Sequence, residues 1–424
     1  MSNILVFSGG SAANSIVSAF GSNVSYVIPV SDNGGSTSEI MRVIGGMGIG
    51  DIRSRLVRLI PDEKGEKSAL KDLLGHRLTS EDKVHARNEW LNLIEGLHPV
   101  WNGVSSEKRQ VIRSFLTHTQ AEISKRSRPS LPFDFRNGSI GNFFLSGARL
   151  FFGSLESAIF QFASIAGIPE KTAVLPILNS NFSQHIAAKL TNGEIIAGQS
   201  QISHQIAESS DASSGEDDTF LPGSLPSLRT PSIMFNKQEE EPLNAPVEKI
   251  YYINVYGHEV QPVANPKVVK AIHRAHAIIY SIGSLYTSII PSLILSGIGD
   301  AIATSTSVRC KILLLNSTLD RETGPGSKFT AFDFVKAIHK ACLQSINVES
   351  SVNLGYRQFI THIIYLRKST PPLVNVLLLK EYGIQCVGVT DSSGRFDPVQ
   401  LHKVLEMIMG RCVRTRSMTM NSAD

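Results

Sequence analysis

The chain opens with the feature that most restricts its fold. Ile4–Phe7 is a short apolar run, Ser8-Gly9-Gly10-Ser11 follows at once, and a helix-like stretch begins near Asn14. Residues 24–30 form a second apolar run, closed by Ser31-Asp32-Asn33-Gly34-Gly35-Ser36. Strand, glycine-rich turn, helix and strand in that order open a doubly wound α/β sheet. The expected fold is α/β and Rossmann-like, built on a mostly parallel sheet. A hydrophobic fraction of 42% is enough to bury its core.

The remaining segments fit that expectation. Residues 172–178, 249–255, 277–280, 311–315 and 385–389 read as further strands. Asn265-Pro266 and Asp397-Pro398 carry the cap-and-proline chemistry of helix starts. His185–Leu190 and residues 194–200 alternate around Thr191-Asn192-Gly193, which predicts an added β-hairpin with an Asn-Gly turn. Residues 62–130 are polar, with helical periodicity around Trp90, Leu91, Ile94 and Leu97. They read as a helical insertion, placed to cover the sheet edge or to act as a lid. Residues 205–247 hold eight acidic and two basic residues among repeated Ser, Pro and Gly, and read as a disordered acidic loop. The expected organisation is one large domain over residues 1–410, with a flexible tail over residues 411–424.

Charge and cysteine content narrow the function classes. The net charge of +4 is too small to argue for nucleic-acid binding. Setting aside the −6 of residues 205–247 leaves +10 elsewhere, which suits an anionic ligand or serves solubility alone. The cysteines Cys310, Cys342, Cys386 and Cys412 have neither metal-ligand spacing nor the density of a disulfide framework. No signal peptide and no run of 18 apolar residues is present, so a cytoplasmic protein without a membrane span is expected. The expected partner is a small molecule rather than nucleic acid or membrane, with homo-oligomerisation left open.

Three turns follow one recipe of strand, small residues and helix: Ser8 to Asn14, Gly138 to Asn142, and Ser281 to Ser288. A helix N-terminus offers unpaired N–H groups, so each turn is able to hold a phosphate, although many such turns are only tight turns. None matches G-x-G-x-x-G, and no Walker motif is present, which disfavours ordinary NAD and P-loop sites. Asp32 either holds magnesium or a ribose hydroxyl, or closes an Asx-turn. Asp51 reads as a helix N-cap, and Arg53, with Arg55 nearby, as a phosphate partner or an ordinary surface ion pair. Tyr286, Thr287 and Ser288 either bind phosphate or cap their helix. Among twelve histidines none sits at zinc spacing, and His185 reads best as structural.

These motifs occur in the order of a known superfamily. The chain resembles the one that joins 2-phospho-L-lactate transferase with the bacterial gluconeogenesis-factor (YvcK-like) proteins, and it lies closer to the latter. Phe7-Ser8-Gly9-Gly10-Ser11 stands where that family has its Gly-Gly-Gly-Thr-Gly loop, and Asp32-Asn33-Gly34-Gly35-Ser36 resembles its Asp-Asp-Gly-Gly-Ser motif. Gly50-Asp51-Ile52-Arg53, Gly141-Asn142 and Gly283-Ser284-Leu285-Tyr286-Thr287-Ser288 resemble three further motifs, and Glu322-Thr323 a late Glu-Thr pair. Asn33 replaces the second acidic residue, Ser281-Ile282 replaces Gly-Pro, and the first loop lacks one glycine and the threonine.

The resemblance implies a nucleotide-derived ligand in the crevice. Ser8, Gly9, Gly10, Ser11, Gly34, Asp51, Arg53, Gly141, Asn142, Gly283, Ser284, Tyr286, Thr287 and Ser288 are its candidate contacts, with Asp32 and Asn33 facing ribose, sugar or metal. The leading reading is a cytosolic UDP-sugar-binding protein that regulates carbon metabolism. The alternative is a magnesium-dependent transferase, similar to the enzyme that moves a phospholactyl group from a guanosine diphosphate carrier. In it Asp32 would hold the metal and Arg53 would neutralise phosphate, as the two catalytic candidates. A third reading is a non-catalytic scaffold working through the acidic loop.

Overall fold

A computed structural model of the chain describes residues 3–204, 224–229, 241–326, 328–346, 354–368, 372–390 and 394–420. In chain order the strands are β1 (Ile4–Phe7), β2 (Val24–Ile28), β3 (Thr172–Pro176), β4 (His185–Leu190), β5 (Ile195–Ala197), β6 (Val247–Ile253), β7 (Glu259–Val260), β8 (Ala277–Tyr280), β9 (Cys310–Leu314), β10 (His362–Leu366) and β11 (Gln385–Val389). Seven of them make one parallel sheet, ordered β11-β10-β9-β8-β1-β2-β3. The sequences ILVF, AIIY and CKILL of β1, β8 and β9 are buried throughout, as expected of strands covered on both faces.

The strand order decides where a ligand sits. Moving outward from β1, the chain first builds β2 and β3 on one side, then returns to build β8 to β11 on the other. In such a sheet the crevice lies beyond the carboxyl ends of the two strands at the reversal, here β1 and β8. Phe7 and Tyr280 end these strands in register, with their rings stacked at 5.8 Å beneath the crevice.

The hairpin is present, but as half of a four-stranded antiparallel sheet ordered β5-β4-β6-β7. Residues 62–130 are helical, as their periodicity suggests. After α1 (Gly35–Val43) and α2 (Gly50–Leu59) come α3 (Glu66–Gly75), α4 (Lys83–Glu95) and α5 (Ser106–Arg126), then α6 (Ile140–Phe152) and α7 (Leu155–Ala166). Helices α3 and α5 pack against α6. Gly147 sets the closeness of that crossing, because a Cβ there would meet the Phe115 carbonyl oxygen at 2.1 Å and Thr119 Oγ1 at 2.5 Å. Gly147→Ala is expected to cost about 1–3 kcal/mol through overpacking, read as a lower melting temperature with the ligand site intact.

Four expectations need correction. No strand precedes the turn before α6; residues 131–139 reach it through an irregular path. Most of residues 205–247 lie outside the described residues, but Pro226–Arg229 is a short helix, and Leu243, Ala245 and Val247 are buried in the core. The final helix runs Pro398–Met420, past the boundary expected at 410, while residues 421–424 lie outside the described residues. Asp51 is not an N-cap, since it lies in the first turn of α2 behind Ile49. Among the described residues no helix is long and apolar enough to cross a membrane.

Candidate functional site

The crevice at the strand reversal is a cavity of about 920 Å³. Its floor is the turn after β1, where Gly9, Gly10 and Ser11 lead into a 3-10 helix, Ala12–Phe20, that has no side-chain cap. The glycines are sterically required. A Cβ on Gly9 would lie 2.6 Å from Ser288 Oγ, and one on Gly10 would lie 2.4 Å from Asp51 Oδ1. Behind this loop the fully buried Arg55 donates to Ser8 Oγ (3.3 Å) and to the Gly9 carbonyl (3.1 Å), and lies over the Tyr26 ring at 4.7 Å. Burial pushes its guanidinium down to about 10. Ser8 is therefore fully buried and belongs to the support of the loop rather than to the cavity wall.

A second wall is the turn after β8. Ser284 Oγ donates to the Glu322 carboxylate (2.6 Å to each oxygen), Thr287 Oγ1 donates to Glu322 Oε1 (3.0 Å), and the Tyr286 N–H donates to Oε2 (3.1 Å). Thr287 N–H also donates to Ser284 Oγ (3.0 Å), capping the π-turn Leu285–Ile289, which the Ile290 N–H closes on the Leu285 carbonyl. Glu322 is 1% exposed, and burial, then the charge of Asp320, raises its carboxyl to about 8. Ser284, Thr287 and Ser288 face the cavity. Tyr286 faces a smaller cavity of about 230 Å³ beside Phe329 and Ile250. Gly283 forms the turn beneath the cavity-lining residues: its φ is +137°, and Asn316 holds both its N–H (3.1 Å) and its carbonyl (2.8 Å).

The third wall carries the carboxylates. Asp32 closes an Asx-turn, accepting from Gly34 N–H at 3.0 Å, and also lines the cavity. The two readings of Asp32 are thus compatible. Its neighbour across the crevice is Asp51, which accepts from the Gly10 N–H. Burial raises both carboxyls, and the charge of Asp32 adds to the effect on Asp51, which reaches about 7. Asn33 stands where the resembling motif has its second acidic residue, and Asp51 comes from the separate Gly-Asp-x-Arg segment. Asn33 turns away, its Oδ1 accepting from Ser200 N–H (2.9 Å), and Asp51 completes the pair. Two buried carboxylates suit a hard divalent cation such as magnesium, which takes oxygen ligands.

Cations stand around this pair. Arg53 on α2 lines the cavity, and burial, then the charge of Arg77, lowers it to about 10 while Asp32 and Asp51 hold it charged. Arg77, His204 and Arg321 line the same cavity. Asn142 donates to Ser36 Oγ (3.0 Å) and Thr37 Oγ1 (3.4 Å), binding the start of α6 to the start of α1. Gly141 is a packing position, since a Cβ there would meet the Leu74 carbonyl at 2.6 Å and Arg53 Cγ at 2.7 Å. Arg53 Nε, Asn142 Oδ1 and Ser200 Oγ are buried polar atoms without a protein partner, and all three belong to cavity-lining residues. Buried polar atoms are rarely left so, and a polar ligand is the natural complement. His185 lies elsewhere, buried on β4, where burial lowers its imidazole to about 4.

Sequence reading overlooked Arg77, Gln199, Ser200, His204, Asp320, Arg321 and Glu322 as site residues. Only Glu322 had a signal, as half of the late Glu-Thr motif.

Comparison with known proteins agrees with this fold. The family model described as 2-phospho-L-lactate transferase CofD matches residues 4–377. The chain is similar to uncharacterized protein YNL011C of Saccharomyces cerevisiae, with 38% identity over 96% of this chain and 99% of the relative. It is also similar to the gluconeogenesis factor of Halalkalibacterium halodurans, with 22% identity over 98% of each. The crystal structure of a UPF0052-family protein of Bacillus halodurans shares the fold, with a TM-score of 0.60 and 19% identity over 95% of this chain and 99% of that one. The chain belongs to the 2-phospho-L-lactate transferase CofD family, with gluconeogenesis factors among its relatives.

Proposed function

We propose that the crevice binds a nucleoside-diphosphate-linked small molecule of the UDP-sugar class, and that occupancy serves regulation of carbon metabolism. One observation carries this reading. The N–H-rich loop after β1, the hydroxyl-lined turn after β8 and the Asp32/Asp51 pair meet in one polar cavity with unpartnered polar atoms in its wall. The loops supply donors for a diphosphate. Asp32 and Asp51 would hold magnesium, which neutralises phosphate charge when bound. Arg53 and Arg77 lie beside them as further partners for phosphate oxygens. Relatives named gluconeogenesis factors support the regulatory role.

Asp51 favours a second reading. With Asp51 facing Asp32, the site also has the parts of a magnesium-dependent transferase, in which catalysis is positioning and charge neutralisation.

A thermal-shift panel of UDP-sugars, guanosine diphosphate and nicotinamide dinucleotides, each with and without magnesium, separates the readings. Ligand at a hundredfold excess over Kd adds about 2.7 kcal/mol, a shift of a few degrees at most in a chain this long. A UDP-sugar shift supports the sensor. A magnesium-dependent shift confined to guanosine nucleotides supports the transferase. Silence across the panel leaves the scaffold reading and overturns the proposal.

A further inference from the structure

Away from the crevice, three side chains from separate segments converge. His76 follows α3, Glu89 lies on α4, and His98 precedes the 3-10 turn Pro99–Trp101. His76 Nε2 is 2.7 Å from Glu89 Oε1, and His98 Nε2 is 3.5 Å from the same oxygen. The ligand atoms of all three lie within 4.8 Å of one another, and among the described residues this is the one such trio. Each side chain is about three-quarters or more covered, at 25%, 20% and 19% exposed. Glu89 Oε2 is fixed by the Thr79 N–H at 2.8 Å, which aims Oε1 at both imidazoles.

We propose that His76, Glu89 and His98 form a binding site for one divalent cation of the zinc class. Two imidazole nitrogens and a carboxylate are a zinc donor set, with the remaining position left to water. A tetrahedron with bonds of about 2.0–2.1 Å has edges of roughly 3.3–3.5 Å. The His98–Glu89 separation already has that length, and His76 needs to withdraw by less than an ångström. Ligation exchanges two existing contacts, the His76–Glu89 hydrogen bond being one of them. The Val100 N–H donates to His98 Nδ1 at 3.1 Å, and that nitrogen takes the proton once Nε2 is on the ion. The Val100 amide therefore reports loading.

The site has a route to the crevice. Arg77, a cavity residue, is bonded directly to His76. The Ile140 N–H donates to the His76 carbonyl (3.1 Å), and the Leu78 N–H to the Gly138 carbonyl (2.9 Å), so this strap also braces the start of α6. A cation joining it to α4 would be structural and would steady Arg77.

The test uses the full chain, stripped with chelator and titrated with zinc sulfate in competition with a chromogenic chelator. The same titration is run on an Asp32→Asn/Asp51→Asn variant, so that the crevice carboxylates are not counted. One zinc per chain is expected in the Asp32→Asn/Asp51→Asn variant, and at least one in the unsubstituted chain. Loss of a direct ligand should exceed the 10–100-fold typical of supporting residues, so His98→Gln and Glu89→Gln are each expected to weaken binding at least about a hundredfold, with unchanged circular dichroism. Cobalt in place of zinc should give the visible absorption of a four-coordinate ion, and the Val100 amide should exchange faster on loading. No saturable zinc in the unsubstituted chain, zinc lost in the Asp32→Asn/Asp51→Asn variant, or zinc undiminished in His98→Gln and Glu89→Gln would each overturn the site.

Discussion

Asp51→Asn is expected to abolish magnesium-dependent ligand binding while leaving the ligand-free protein at least as stable as before. The two effects have one cause. Asp51 is a buried carboxylate facing another, Asp32, and both burial and that like charge oppose its ionisation. Replacing it with the isosteric amide keeps an acceptor for the Gly10 N–H and removes the repulsion. A divalent cation loses one of two protein carboxylates, however, and the diphosphate loses the cation. An affinity loss on the order of a hundredfold would reduce the stabilisation at a fixed ligand concentration from about 2.7 to about 0.4 kcal/mol. Melting curves in chelator, and with UDP-glucose plus magnesium, check both halves. A variant that melts lower when empty yet retains the full ligand shift would place Asp51 in the structure and not in the site.

The second large effect belongs to Glu322. Its carboxylate gathers Ser284 Oγ, Thr287 Oγ1 and the Tyr286 N–H, so Glu322→Ala leaves Ser284 Oγ and the Tyr286 N–H without this acceptor, while Thr287 Oγ1 keeps Ser284 Oγ at 2.6 Å. Each stranded group costs about 1–3 kcal/mol. The sum is a large share of a protein's net stability, and the π-turn that forms one cavity wall loses its tether. Strong destabilisation in urea and loss of ligand binding are expected together.

The pH dependence has a definite sign. Burial holds the folded carboxyl at about 8, against 4.5 for a freely solvated glutamate, so the folded chain holds this proton more tightly than the unfolded chain. That contribution is full below about 4.5, declines as pH rises through that window, and changes no further above about 8. Glu322→Gln cannot titrate, and its stability should fall less between pH 5 and pH 8. An unchanged slope would mean that Glu322 is ionised in the folded chain throughout.

Much of the fold was legible because its signals are local. Ile4–Phe7, Ala277–Tyr280 and Gln385–Val389 are short apolar runs beside turn residues, and each forms the strand expected. The strand His362–Leu366 was legible too, an apolar run closed by Arg367-Lys368 and then by Ser369-Thr370-Pro371-Pro372, but it was not singled out. The fate of the hairpin was illegible: its partner β6 lies beyond residues 205–247, and pairing across such a span leaves no periodicity to read. At the site, glycine-rich motifs identified the loops but not which atoms face inward. Gly141 and Gly283 carry the same signal as Gly9 and Gly10, yet one is a helix-packing position and the other a turn held by Asn316. Arg77 and His204 reach the cavity only through the fold, on segments with no motif at all. Asp51 looked like a helix cap, because a carboxylate at a helix start has that local explanation until the opposing Asp32 is placed.

Hydrogen–deuterium exchange of the full chain with UDP-glucose and magnesium tests the location of the site most directly. Protection is predicted in the amides of residues 9–12, 34–37, 50–53 and 284–288, with the outer strands β10 and β11 unaffected. Protection confined to other segments, or none with UDP-glucose, UDP-N-acetylglucosamine or guanosine diphosphate at millimolar concentration, would contradict a nucleotide site at the β1/β8 reversal.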